Sequence, residues 1–178
     1  MPDGGGQRRS FRLPRGVAIN RRNRIDGLSL LRAIPADVVG MVFCDPQYRT
    51  GLDKLAFGNE GSRQKKRAKL PQMTDEVIRE FVLEAERVLA PSHYLMLWVD
   101  KFSIGEGQHL RYLEAARRLH VVDLLAWNKL TIGMGKRLRC TTEYLVIAQK
   151  EPIRAKGTWT DHRIKDCWPE AKDGDRHA

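Results

Sequence analysis

Apolar residues recur at helical spacing in three stretches of the chain. The clearest lies at residues 77–89, where they occur at steps of three and four positions behind Thr74, a favourable N-cap residue. Residues 25–34 carry a shorter stripe, and residues 109–119 carry another of the same period. The pattern therefore predicts three amphipathic helices, each of which buries one face.

Four mostly apolar runs, rich in β-branched and aromatic residues, are typical of buried strands. They occupy residues 38–44, 94–99, 121–127 and 144–148. Because runs and predicted helices alternate along the chain, we expect an open α/β sheet. A glycine-containing turn separates the last two runs, which favours their pairing as a hairpin. Ligands of open α/β sheets bind at the carboxyl ends of the strands, and Asp45 lies at such an end.

Outside these stretches the sequence divides into one core and two tails. Residues 1–24 are rich in Gly and Arg and poor in apolar positions, which predicts a flexible basic arm. Residues 25–150 form the predicted core, a length that suits one domain. The periodicity then fades, and residues 151–178 are expected to be extended or partly disordered.

The charge balance favours a polyanionic partner. The chain has 32 Lys and Arg against 22 Asp and Glu, and its formal net charge of +10 favours nucleic acid through counterion release. A basic surface that only maintains solubility is the alternative. Basic residues concentrate in two predicted loops, where we expect phosphate contacts. These candidate DNA-binding residues are Arg63, Lys65, Lys66, Arg67, Lys136, Arg137 and Arg139.

Several classes of protein are disfavoured. No uninterrupted apolar run approaches the roughly 20 residues of a membrane-spanning helix, and the N-terminus has no apolar stretch to act as a signal peptide. We therefore expect a cytoplasmic protein without a membrane partner. Cys44, Cys140 and Cys167 are far apart and form no Cys-x-x-Cys pair, so neither a disulfide framework nor a metal site is predicted.

The tetrapeptide Asp45-Pro46-Gln47-Tyr48 contains groups suited to methylation of a base amine. The lone pair of an exocyclic amine is delocalised into the ring and must be localised before it can attack. The Asp45 carboxylate and the carbonyl that Pro46 holds rigid are suitable acceptors, and the Tyr48 ring can stack on a base taken out of the duplex. Direct in-line transfer then needs positioning and no covalent intermediate. Considered alone, Asp-Pro is explained as well by an ordinary strand-end turn.

The tetrapeptide resembles the Asp-Pro-Pro-Tyr signature of DNA adenine-N6 and cytosine-N4 methyltransferases. Residues 25–31, 86–91, 127–129 and 143–146 resemble further segments of that family in the order of its circularly permuted, prophage-type members. The resemblance implies a Rossmann-like open sheet of the class I methyltransferase type. It also implies S-adenosylmethionine as the cofactor and double-stranded DNA as the substrate.

The resemblance assigns roles to individual residues. It implies that Asp45 and Pro46 orient the amine, that Tyr48 stacks on the base, and that Asp26 and Asp45 lie against the cofactor. Asp26 is equally suited to capping the first helix. Gln47 replaces the second Pro of the signature, which leaves the first Pro and its carbonyl in place.

Three further residues in the predicted strands have simple structural explanations. Trp98 and Trp127 are expected in the core because of their size and their place in apolar runs. Cys44 is expected to be a packing residue, since strand alternation points it to the face opposite Asp45.

The glycine-rich S-adenosylmethionine loop that permuted members carry after these segments is missing from the sequence. Gly133-Met134-Gly135 and Gly4-Gly5-Gly6 lack the strand-loop-helix context of such a loop. We therefore expect an incomplete sheet that needs a missing C-terminal half or a second subunit. The expected function is site-specific DNA amino-methylation. A catalytically inactive DNA-binding fragment and a methyltransferase acting on a protein glutamine or on RNA are the alternatives.

Overall fold

An open sheet of five strands forms the centre of the computed structural model, which describes residue 13 and residues 15–46, 73–133 and 137–170. The strand order is β1-β2-β4-β3-β5. β1 and β2 are parallel, β4 is antiparallel to both β2 and β3, and β5 is parallel to β3. The strands are β1 (Val39–Cys44), β2 (Leu89–Val99), β3 (Leu119–Gly133), β4 (Cys140–Lys150) and β5 (Cys167–Pro169). The predicted α/β sheet and its terminal hairpin are confirmed.

The helices pack on one face of this sheet, which we call the helix face. Those described are α1 (Gly27–Ala33), α2 (Asp75–Val88), α3 (Lys101–Gly105) and α4 (Gln108–Leu113). The predicted cap of α2 is confirmed, because the Thr74 hydroxyl oxygen accepts the amide of Val77 at 3.4 Å. None of the described helices is long and apolar enough to cross a membrane.

The helix predicted at residues 109–119 is shorter than the pattern indicated. It ends at Leu113, and two successive turns, closed by the amides of Ala116 and Leu119, lead directly into β3. Ala116 and Leu119 are buried in the turn and at the start of the strand. These two buried residues fall at helical spacing from the helix, which explains why the predicted helix extended beyond Leu113.

The two faces of the sheet are covered unequally. On the helix face, alternate residues of the central strands pack against α2 and form the main core, among them Leu95, Leu97, Val99, Val146 and Ala148. The opposite face, which we call the open face, has a small cluster of Tyr94, Leu145 and Ile147. The helix face therefore provides most of the buried apolar area.

The described part of the C-terminal segment, residues 151–170, is held against the sheet. The buried Gln149 amide nitrogen donates to the carbonyl of Arg154 at 2.7 Å and to the Tyr94 hydroxyl at 3.0 Å. The Trp159 ring packs edge-on against Tyr94 with a centroid separation of 5.5 Å. β5 then extends the sheet beside β3, a strand that the sequence did not indicate.

A buried lysine joins the last long strand to the end of α2. Lys150 is 1% exposed, and its ammonium donates to an Asp37 carboxylate oxygen at 2.8 Å, to the carbonyl of Leu89 at 2.7 Å and to that of Glu86. A cation is favoured near a helix C-terminus because it complements the unpaired carbonyls there. This contact fixes α2 relative to the sheet.

Substitution Lys150→Met should therefore destabilise the fold by about 2–4 kcal/mol, because it leaves buried carbonyls without their donor. Urea unfolding followed by circular dichroism measures the change. Lys156→Met, at an exposed position, is the matched control and should change the free energy of unfolding little. Equal stabilities of the two variants would show that the buried ammonium has no stabilising role.

Candidate active site

The first part of the predicted motif lies at the edge of the sheet where the parallel strands end. Cys44, the last residue of β1, pairs with Leu97 of β2. The next residue, Asp45, is exposed, and Pro46 after it is buried. We call this side of the sheet the carboxyl edge. The Asp45 carboxylate is thus exposed to solvent, next to a proline that is buried in the protein.

Strand alternation defines the surroundings of Asp45. Val42 and Cys44 are buried on the helix face, whereas Met41 and Phe43 are 54% and 55% exposed on the open face. Asp45 continues this alternation on the side of Phe43. Tyr48 and Gln47, together with the basic loop residues Arg63, Lys65, Lys66 and Arg67, lie outside the described residues.

Cys44 is a packing residue, as predicted. Burial raises the pKa of its thiol to about 12, and the neighbouring Asp45 carboxylate adds to the shift by disfavouring a second negative charge. The thiol therefore remains neutral at physiological pH and is unsuited to nucleophilic catalysis.

Three aromatic rings cross the open face near Asp45. Phe43 meets Trp98 edge-to-face at a centroid distance of 6.3 Å, and Trp98 lies 5.9 Å from Trp127. Both tryptophans are half-buried and lie outside the main core, so the prediction of core positions is only partly right. The two apolar runs predicted the strands. The register of β1 against β2 then places Phe43 and Trp98 on the same face of the sheet.

Asp26 caps α1, which confirms one of its two expected roles. Its carboxylate accepts the backbone amide of Ser29 at 2.7 Å, and this hydrogen bond lowers the pKa of Asp26. At the other end of the helix, the Arg87 guanidinium donates to the carbonyls of Leu31 and Ile34 at 2.8 and 2.9 Å. Arg87 lies in the last turn of α2, so the C-terminal ends of α1 and α2 lie close together. Since α2 leads directly into the start of β2, these ends lie away from the carboxyl edge, and Asp26 at the start of α1 is on the side of Asp45.

Two of the predicted DNA-binding residues lie on the β3–β4 hairpin at the same edge. Arg137 and Arg139 are exposed there, and Lys136 lies outside the described residues. Val99, the last residue of β2, pairs with Tyr144, and β4 extends beyond that point to Cys140. The hairpin therefore projects from the sheet on the side that presents Asp45.

The connections between the described strands and helices do not include the expected cofactor loop. The connection from β2 to α3 is a single residue, Asp100, whose carboxylate caps α3 through the amide of Ser103 at 2.7 Å. No glycine-rich strand-loop-helix connection occurs among the described segments. The same segments contain no cluster of His, Cys, Asp and Glu arranged to hold a metal ion. Asp26 and Asp45, the two residues expected from the sequence to lie against S-adenosylmethionine, are both on the side of the carboxyl edge.

The open α/β sheet with helices on one face is consistent with the fold of class I methyltransferases. Two crystal structures of a protein from Thermus thermophilus, assigned as a DNA modification methylase, share the fold with TM-scores of 0.52 and 0.50. They are 20% and 19% identical in sequence, and each match covers 81% of this chain. The matches cover 64% and 66% of that protein, and the second structure contains S-adenosyl-L-methionine.

A relative of known class identifies the family. The type II methyltransferase M.HhaII of Haemophilus parahaemolyticus is 52% identical over 161 residues, which are 90% of this chain and 70% of the relative. No protein-family model matches the chain. The chain belongs to the family of DNA adenine-N6 and cytosine-N4 methyltransferases, as the resemblance of Asp45-Pro46-Gln47-Tyr48 implied. Circular permutation and a prophage origin stay predictions.

The neutral, buried state of Cys44 predicts slow alkylation. At mildly alkaline pH, iodoacetamide should modify the exposed Cys167 at least about tenfold faster than Cys44, because the thiolate is the reactive form and Cys44 is both protonated and covered. Peptide mass spectrometry over a time course measures both rates in one sample. Comparable rates in the folded protein would contradict the packing role.

Proposed function

We propose that this chain provides the base-binding side of a site-specific DNA methyltransferase that methylates adenine N6 or cytosine N4. The main support is the position of Asp45, exposed at the carboxyl end of β1 beside a buried Pro46, in a member of this methyltransferase family.

Asp45 and Pro46 prepare the amine for attack. One amine hydrogen is donated to the Asp45 carboxylate and the other to the Pro46 carbonyl, which moves the nitrogen toward tetrahedral geometry and localises its lone pair. Tyr48 stacks on the extruded base and offsets part of the lost stacking energy. When bound, S-adenosylmethionine would supply an electrophilic methyl group: the S–CH₃ bond would break as the N–C bond forms, S-adenosylhomocysteine would leave, and the amine would then lose a proton to solvent. Positioning and electrostatics therefore provide the rate enhancement.

Cations around the carboxyl edge hold the DNA backbone. Arg137 and Arg139 are exposed on the hairpin beside Asp45, and Lys136 lies next to them in sequence. The loop residues Arg63, Lys65, Lys66 and Arg67 are proposed to bind phosphates as well. Such contacts position the duplex without reading its sequence. The net charge of +10 supports the same role.

A further polypeptide segment or a second subunit completes the cofactor site. In the described part of the chain β1 pairs with β2 alone, and its Met41 and Phe43 are more than half exposed. Parallel strands are normally covered on both faces, so an apolar parallel strand with an open face favours a further layer beside it. Asp26, on the side of Asp45, is proposed to contact the cofactor in that assembly.

Asp45→Asn should lower the rate of methyl transfer by roughly 10²–10³-fold, because the amide is a weaker acceptor at the developing positive charge. The assay follows tritium transferred from labelled S-adenosylmethionine to unmethylated duplex DNA. Duplex affinity should change little, since phosphate contacts provide most of it. Glu114→Gln removes an exposed carboxylate at the end of α4 and is the matched control. Transfer that is equally fast with Asp45→Asn would disprove the role of Asp45.

A catalytically inactive DNA-binding fragment is the second candidate. It is favoured by the lack of a glycine-rich connection among the described strands and helices. Calorimetric titration with S-adenosylmethionine, with and without duplex DNA, tests this candidate, because binding of the cofactor by the chain would exclude an inactive fragment. Action on a protein glutamine or on RNA is less well supported, since the similar motif of methyltransferases that act on glutamine amides is Asn-Pro-Pro-Tyr, whereas residue 45 is Asp.

A further inference from the structure

The hairpin beside Asp45 contains a large bulge. Asn128 pairs with Thr142, and Gly133 pairs with Cys140, so β3 advances five residues while β4 advances two. Three residues of β3 are thereby displaced from the ladder. A bulge of this kind redirects side chains and is frequent next to functional sites.

The bulge is fixed at its base and strained at its centre. The buried Lys129 and the partly exposed Glu143 form an ion pair at 2.9 Å across the two strands. Leu130 has a φ of 54°, in the left-handed region that disfavours a branched aliphatic residue, and its amide donates to the Asn128 side chain at 3.1 Å. The surrounding contacts therefore hold a conformation that the Leu130 backbone would not choose alone.

This geometry exposes aliphatic side chains among cations. Leu130, Ile132 and Leu138 are 59%, 76% and 77% exposed, and Arg137 and Arg139 flank the last of them. Single exposed aliphatic residues are ordinary, but three on one narrow hairpin form a patch that no fold contact explains. We call Leu130, Ile132 and Leu138 the hairpin wedge.

The wedge lies within reach of a duplex bound at Asp45. Asp45 follows Cys44 and is thus level with Trp98 of β2, which pairs with Leu145 of β4. β4 begins five residues earlier, at Cys140, so the hairpin extends roughly 17 Å past the level of Asp45 at about 3.4 Å per residue. Its strands lie two and three positions from β1, a lateral offset of roughly 10–14 Å.

We propose that the hairpin wedge enters the base stack of duplex DNA next to the extruded base, while Arg137 and Arg139 bind the flanking phosphates. The inference rests on the proposed DNA function and adds a mechanical role to it. A two-stranded ribbon is narrow enough to enter a groove, and aliphatic side chains inserted between base steps are a known means of unstacking them. Filling the gap with apolar groups stabilises the extruded state.

The test measures the affinity of the full chain for two labelled duplexes by fluorescence anisotropy. One duplex has mixed sequence, and the other is identical but contains a single central abasic site. Wild-type protein should prefer the abasic duplex by roughly tenfold, because the cost of unstacking has already been met there. The double variant Ile132→Asn with Leu138→Asn should lose this preference and bind both duplexes alike.

Two further variants separate the wedge from the charges. Arg137→Ala with Arg139→Ala should weaken binding to both duplexes equally and reduce the slope of log affinity against log salt by about 2. Ile153→Asn makes the same substitution as in the wedge at a 48% exposed residue beyond the opposite end of β4, and should retain the wild-type preference.

Each result distinguishes between the proposals. Duplex binding without any abasic preference, or a preference that survives the double asparagine variant, would overturn the wedge and leave the DNA function intact. Failure of the wild-type chain to bind either duplex would overturn both. All substituted side chains are exposed, so the variants should unfold at the wild-type temperature, which circular dichroism checks.

Discussion

The parallel pairing of β1 with β2 is the constraint on which the candidate site depends. The pairing of Cys44 with Leu97 fixes the register, and a shift by one residue would exchange the buried Val42 and Cys44 for the exposed Met41 and Phe43. Asp45 would then leave the open face. Packing of α2 on the helix face therefore determines where the carboxylate is presented.

The unequal coverage of the sheet divides stability from function. The helix face contains the main core, and Lys150 fixes the end of α2 to it. Among the described residues, the open face is covered by the segment around Trp159 and by a row of aromatic rings that begins at Phe43. A surface of this kind can receive a further layer without rearrangement of the core, which is consistent with a cofactor site completed beside β1.

Hydrophobic periodicity predicted most of the fold because burial on one face repeats at the period of the element. It failed at residues 109–119, where Ala116 and Leu119 are buried in a turn and a strand start. It also missed β5, since three exposed residues leave no periodic signal. In the candidate site, the position of Asp45 and the helix cap at Asp26 could be predicted from the residues themselves and their immediate neighbours in sequence. The bulge at Leu130 could not be predicted in this way, because it arises from the different numbers of residues that β3 and β4 place between two paired positions.

The measurement closest to the central claim is the identity of the methylated nucleoside. Unmethylated DNA is incubated with S-adenosylmethionine and the complete assembly that contains this chain, digested to nucleosides and analysed by mass spectrometry. Geometry that localises an amine lone pair at Asp45 predicts N6-methyladenine or N4-methylcytosine. Methyl groups found only at cytosine C5, which needs a covalent nucleophile, would contradict this role of Asp45.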